Sequence, residues 1–239
     1  MPGGAYIALS GMRARADQLD RLAADLANVG TSGYKAARTG SMAAERPFLR
    51  ALDSAVDVVN GPARVDFTPG ALARTGRDLD CAIDGPGFFV LQTPAGTRYT
   101  RNGHFNRSAS GELTASDGSV VLGANDAPIA IPNGKISIEP DGSVRVNGAV
   151  AGRLRVADFA DRGALVREQG ERFSGPALSE ARPGAGLVRG GSIEESNVSV
   201  VDRVAQLAQL TASFEALNRG ISVLMNDLDG RVISELGRK

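Results

Sequence analysis

Among residues able to do chemistry, His104 is the only histidine of the 239-residue chain and Cys81 the only cysteine. His104 sits in Asn102-Gly103-His104-Phe105, with no cysteine or acidic cluster at metal-ligand spacing beside it. A hairpin residue is therefore favoured over a ligand or general base. A serine triad of the usual kind would need this same histidine, and no Gly-x-Ser-x-Gly elbow is present. A lone cysteine forms neither an internal disulfide nor a multi-thiolate zinc site. The alternation Leu79-Asp80-Cys81-Ala82-Ile83 instead places Cys81 with Leu79 and Ile83 on one buried strand face. Gly85-Pro86-Gly87 has no Gly-Lys-Ser/Thr run after it and reads as a turn rather than a phosphate loop. The pairs Glu194-Glu195 and Asp78/Asp80 arise by chance in a chain with 27 acids, and nothing places them across a cleft. The expectation is no catalytic residue, no metal site, no cofactor and no small-molecule ligand.

Lysine plus arginine and aspartate plus glutamate both total 27, giving a formal charge of zero. No polybasic block is present to neutralise a phosphate backbone, so nucleic acid is not an expected partner. Near-zero charge also removes long-range self-repulsion, which favours self-association. Met1-Pro2-Gly3-Gly4-Ala5 has no basic-then-apolar leader, and no stretch approaches the ~20 apolar residues of a bilayer span, so no membrane insertion is expected.

The positioning elements differ in texture along the chain. Leu9, Met12, Ala16, Leu19, Ala23 and Leu26 recur in alternating steps of three and four, a narrow helical seam suited to a partner helix. Gly30 is placed to end that helix in a left-handed conformation. The last segment repeats the pattern: Val200, Leu207, Phe214, Ile221 and Leu228 stand seven apart, and Leu210, Leu217 and Leu224 fill the complementary position. Val204, Met225 and Val232 widen the stripe. Ser199, three residues before Asp202, is a candidate cap for a helix over about 200–235. Gly220 costs ~1 kcal/mol inside it, which one glycine among so many seam residues does not make decisive.

Between the ends, short alternating runs such as Phe88-Phe89-Val90-Leu91, Ser119-Val120-Val121-Leu122, Ile129-Ala130-Ile131, Lys135-Ile136-Ser137-Ile138 and Ser143-Val144-Arg145-Val146 predict an all-β domain. Asn102-Gly103, Asp117-Gly118, Asp141-Gly142 and Asn147-Gly148 supply turns in which glycine takes positive φ. Phe88, Phe89, Tyr99 and Phe105 are its expected core. Residues 34–69 sustain neither period and read as an extended arm with a short helix near 47–55. The predicted fold class is a multi-part α+β chain, its long terminal helices pairing as an α-helical coiled coil beside a central all-β domain. The expected divisions are 1–33, 34–75, 76–192 and 193–239. One two-helix seam buries too little to offset an ordering cost of about 1–2 kcal/mol per residue, which predicts a frayed pair in the isolated subunit.

Four segments carry a resemblance as well as a pattern. Leu26-Ala27-Asn28-Val29-Gly30-Thr31-Ser32-Gly33-Tyr34-Lys35 resembles the helix-end signature of the bacterial flagellar axial proteins. The segment Leu79 to Leu91, with Asp84-Gly85-Pro86-Gly87-Phe88, and Tyr99-Thr100-Arg101-Asn102-Gly103-His104-Phe105 are similar to that family's central β signature. Ser116-Asp117-Gly118 and Val121-Leu122-Gly123 continue it, and Glu195-Ser196-Asn197-Val198 resembles the lead-in to the C-terminal helix. Ala24-Asp25 departs from the paired asparagines usual in the family.

The resemblance implies a subunit of the rod or hook, with the short length favouring the rod. It implies localisation to the basal body, where the rod crosses the periplasm, and export without signal cleavage through the flagellar type III apparatus. It also implies a helical polymer whose partners are the chain itself and other rod subunits, transmitting torque from motor to hook. The seam residues Leu9, Met12, Leu19, Leu26, Val200, Leu207, Leu210, Phe214, Leu217, Ile221, Leu224 and Leu228 are the expected assembly surface. The competing reading is a secreted β-rich binding module or adhesin on a helical stalk. A second rival, a hydrolase using paired carboxylates, leaves the matched termini unexplained.

Overall fold

The computed structural model describes residues 2–39, 63–168, 171–178 and 181–236. They fall into two compact units, one drawn from the described residues of 1–27, 37–64 and 199–239, the other from those of 28–36 and 65–198. The expected short helix near 47–55 lies outside the described residues. The arm's described ends are the strands Ala37–Thr39 and Ala63–Val65.

The first unit contains two helices that pack against each other, α1 (Pro2–Ala27) and α2 (Val200–Leu236). Proline fits the first position of α1, where its missing N–H would have had no helical partner. α2 spans 37 residues, about 55 Å at 1.5 Å per residue. As expected, Ser199 caps it: its hydroxyl accepts from Asp202 N at 3.3 Å and its carbonyl from Arg203 N at 3.0 Å.

α1 ends differently from expectation. A turn closes it, with Thr31 N donating to Asn28 O at 3.1 Å and the Thr31 hydroxyl to Asn28 Oδ1 at 3.2 Å. The left-handed glycine is Gly33, with φ 71°, rather than Gly30. The Thr31 amide satisfies the Asn28 carbonyl without a left-handed residue at Gly30, and the chain takes its left-handed step three residues later.

The second unit is antiparallel β. Its largest sheet centres on the strand Phe88–Thr93, which pairs with Gly96–Thr100 on one side and with Val120–Val121 and Val156–Asp158 beyond. Phe88 and Val90 enter one core with Tyr99, Phe159 and Phe173, while Phe89 and Leu91 enter another with Cys81, Ile83, Phe105 and Val144. Alternate residues of one strand thus feed opposite faces, which is why the run is apolar throughout. Leu79 packs beside Cys81 and Ile83 as the alternation predicts. Burial, and then the Asp80 charge, push the Cys81 thiol far above its ordinary pKa, leaving it inert.

The strands Ile136–Ile138, Ser143–Val146 and Ala149–Arg153 form a separate sheet. Asn147 and Gly148 between the last two have φ 51° and 83°, as an Asn-Gly hairpin turn requires. Asn102-Gly103 is not such a turn. Gly103 has no left-handed φ, and a Cβ there would lie 1.6 Å from Cys81 O, so the glycine answers a close backbone approach. Two ribbons complete the unit, Cys81–Asp84 with Leu187–Gly190 and Leu72–Arg74 with Ser192–Glu194.

Candidate functional site: a buried charge hub

The motif segments converge on Glu194, the last residue of the strand Ser192–Glu194 and 1% exposed. Its Oε2 accepts from Arg101 Nε at 2.7 Å, and its Oε1 from the Lys35 ammonium and from Gly70 N at 3.0 Å. Lys35 and Arg101 are themselves 1% and 5% exposed. Such a carboxylate is tolerable inside a protein only because both oxygens are bonded to charged or backbone donors.

The cations are equally committed. Arg101 donates through one terminal nitrogen to Gly85 O at 2.9 Å and Gly87 O at 2.6 Å, and through the other to Ile83 O at 3.1 Å. The planar guanidinium fork thereby ties the Gly85-Pro86-Gly87 turn to the strand bearing Glu194. Lys35 donates to Thr68 O at 2.9 Å. Burial lowers the Lys35 pKa, the Glu194 carboxylate opposes that shift, and the neighbouring Arg101 adds to it.

The chain segments around the hub are fastened in the same way. Gly33 N donates to Glu194 O at 2.7 Å, and a Cβ on Gly33 would meet Asn102 N at 2.3 Å. Asn197 Oδ1 accepts from Ala36 N at 2.7 Å while its amide nitrogen donates to Asp66 O at 2.8 Å. Tyr34, Ala36 and Val198 make a small apolar cluster, with Val29 against it, and the Arg167 guanidinium lies 4.3 Å from the Tyr34 ring centroid.

Of the motif residues, Gly33, Lys35, Gly85, Gly87 and Arg101 bond directly into the hub, and Tyr34 and Asn197 flank it. Asn28 closes the preceding turn, Phe88 lies in the adjoining core, and Gly103 packs on Cys81. Asn102 Oδ1 accepts from His104 N at 3.0 Å, and Asp84 makes an exposed ion pair with Arg189 at 2.8 Å. Glu194, the centre of the hub, enters the sequence analysis only in the pair Glu194-Glu195, which is set aside there as a chance pairing. An acid immediately before Glu195-Ser196-Asn197-Val198 reads equally well as a solvated charge.

The seam residues present a different picture. Met12, Leu19, Leu26, Leu207 and Phe214 are half-buried, Leu210 is buried and Val200 is exposed. The side chains of Leu9, Leu217, Ile221, Leu224 and Leu228 lie outside the described residues. Among the described side chains of α1 the buried ones are Ala14, Leu22 and Asp25. This line lies roughly 105° around the helix from Met12, Leu19 and Leu26, at 3.6 residues per turn.

His104 is partly exposed, with Nδ1 3.0 Å from Asp80 Oδ1 and Nε2 2.5 Å from the Arg77 guanidinium. The Arg77 guanidinium lies against both ring nitrogens, being 3.2 Å from Nδ1 as well. The nearby Ser116 hydroxyl bonds the His104 carbonyl at 3.1 Å rather than the ring, so the pair activates no nucleophile. A cavity of about 220 Å³ beside Phe67, Pro86 and Phe88 has Arg101 and Arg162 as its charged lining. Both are occupied, by Glu194 and Asp158. Among the described residues no group of three His, Cys, Asp or Glu could hold a metal, and no helix is long and apolar enough to cross a membrane.

What the hub can do is hold two remote stretches of chain, 33–36 and 194–198, rigidly on one β scaffold. Residues 82–146 match the family described as the flagellar hook protein FlgE/F/G D1 domain. Over 99% of both chains, the sequence is 32% identical to the flagellar basal-body rod protein FlgF of Rhizobium meliloti. It is 33% identical to FlgF of Mesorhizobium japonicum over 90% of each chain. It is 29% identical to the rod protein FlgG of Bacillus subtilis over 91% of this chain and 93% of that one. The chain belongs to the family of flagellar basal-body rod proteins, structural subunits of the rod in the bacterial flagellar basal body.

Proposed function

We propose that this subunit joins the rod through its terminal helices, which form a coiled coil and bury their remaining apolar surface against neighbouring copies and other rod subunits. The observation that carries this reading is the offset on α1. Its buried line of Ala14, Leu22 and Asp25 leaves Met12, Leu19 and Leu26 half-exposed, with Ala16 and Ala23 exposed beside them. A helix with a second apolar stripe suits more than one helical partner. Each Leu or Phe buried on assembly contributes roughly 1.5–3 kcal/mol, so several shared among neighbours suffice to drive polymerisation. Head-to-tail contacts that do not close yield a helix. In this reading the β unit, with motif residues locked by the charge hub, forms the outer wall, and the polymer carries torque from motor to hook.

The chain reaches the rod by the flagellar type III export apparatus, without signal cleavage. Catalysis, nucleic-acid binding and ligand binding have no part in this role. Electron cryomicroscopy of basal bodies from a strain lacking the gene tests it. A rod that is absent or stops early supports the role, and the stub length separates proximal from distal position. Complete rods, hooks and filaments in swimming cells would refute it and favour the binding-module reading.

A further inference from the structure

Asp25 is 1% exposed, yet it is an acid on the face of α1 that packs in the helical unit. Its Oδ2 lies 3.1 Å from Arg203 Nε on α2, and its Oδ1 accepts from Ala37 N at 3.4 Å. Arg203 also donates to Gln206 Oε1 at 2.8 Å, and its side chain is only 17% exposed. Apolar packing does not fix this end of α2: Val200, Val201 and Val204 are 46%, 79% and 50% exposed, and the first buried residue is Leu210. Arg203 is the only residue between 200 and 206 that is not exposed.

We propose that the Asp25–Arg203 pair is a selection contact, by which α1 takes the α2 of its own chain as partner and sets the register of the two. A buried carboxylate is tolerated where a guanidinium meets it and strongly penalised against an apolar or acidic side chain. Any other helix laid along this face of α1, or α2 slipped by a turn, fails to deliver that group. Leucines spaced by seven repeat their pattern at every heptad and do not discriminate registers in this way, whereas one buried polar contact does. The half-exposed stripe on α1 is then left for neighbours, while the Asp25 face is reserved for the chain's own α2.

The inference rests on the rod role only for its cellular readout. In purified full-length protein, Asp25→Arg and Arg203→Asp each lower the thermal midpoint of helix unfolding followed by circular dichroism, and the swap carrying both recovers it. In cells with the chromosomal gene deleted, each single variant loses swarming, the swap restores it, and co-expression of the two singles does not. Recovery by that mixture would mean the partner helix comes from another copy, and would overturn the proposal. So would single variants that match the parent, or a swap as defective as the singles. If the gene proves dispensable for flagella, the rod role fails, while the unfolding midpoints still decide the pairing.

Discussion

Arg101 Nε lies 2.7 Å from Glu194 Oε2, a buried bond between residues 93 positions apart in the chain. Through the same guanidinium the Gly85-Pro86-Gly87 turn is drawn to the strand that leads into α2. Arg101→Met leaves the Glu194 carboxylate buried with one cation instead of two and frees three backbone carbonyls. Breaking a buried pair in this way costs about 3–5 kcal/mol. The urea midpoint of the full-length variant, followed by tyrosine fluorescence, is expected to fall accordingly. A midpoint matching the parent would remove the hub as a source of stability.

Three glycines near the hub are expected to respond differently to alanine. At Gly33 the new Cβ meets both a left-handed φ and the Asn102 backbone, and at Gly103 it meets Cys81 O at 1.6 Å with no left-handed φ involved. Each substitution therefore destabilises by more than the ~1 kcal/mol typical of point variants. Gly30 has no left-handed φ and nothing within 4 Å of its Cβ position. Gly30→Ala is expected to be neutral, or to stabilise by about 0.4–1 kcal/mol through the unfolded chain. Denaturation midpoints of the three variants rank them directly.

Much of this was legible because it is local. The apolar run Phe88 to Leu91 marks a strand buried on both faces, Asn147-Gly148 marks a hairpin, and Ser199 marks a helix start. Each signal lies within a few residues of the structure it causes. The hub is not local: Lys35 and Glu194 stand 159 positions apart. An acid or a lysine in isolation carries no sign that it will be buried and paired. The buried line of α1 escapes for the same reason, since Asp25 belongs by composition to the polar face, and the groups that meet it inside include Arg203, 178 positions away. Gly30 and Gly33 were indistinguishable as helix stops until the Asn28–Thr31 turn and the Asn102 backbone chose between them.

Glu171 and Asp158 make opposed contributions to the pH dependence of stability. Burial, partly offset by Arg167, raises the Glu171 pKa above its unfolded value. That stability is fully present below the unfolded pKa and is lost as pH rises through the folded one. A hydrogen bond from Arg162 lowers the Asp158 pKa, with Nε and the terminal nitrogen both 2.9 Å from the carboxylate. Its contribution is present above the unfolded pKa and lost as pH falls through the folded one. Urea midpoints measured across the carboxylate range should show Glu171→Gln removing a loss on the rising side. Asp158→Asn should remove one on the acid side. Profiles parallel to the parent for both variants would contradict this assignment.

Leu207 is the seam residue that best separates assembly from folding. It is half-buried on α2, one turn before the buried Leu210, and belongs to the helical unit rather than to the β unit. Leu207→Asp places a charge on the line of α2 that also carries Arg203 and Leu210, so it weakens the helix pair through which the subunit is proposed to join the rod, where leucine burial contributes roughly 1.5–3 kcal/mol. Among the described residues, the β cores built from residues such as Phe89, Phe105, Tyr99 and Phe173 include none from α2. The variant is therefore expected to be exported and to keep the β unit's protease resistance and near-ultraviolet circular dichroism, but to be missing from isolated basal bodies. Its presence in rods at the parental level would show that the helix pair does not carry assembly. Loss of the β unit's signals would show instead that the two units do not fold independently.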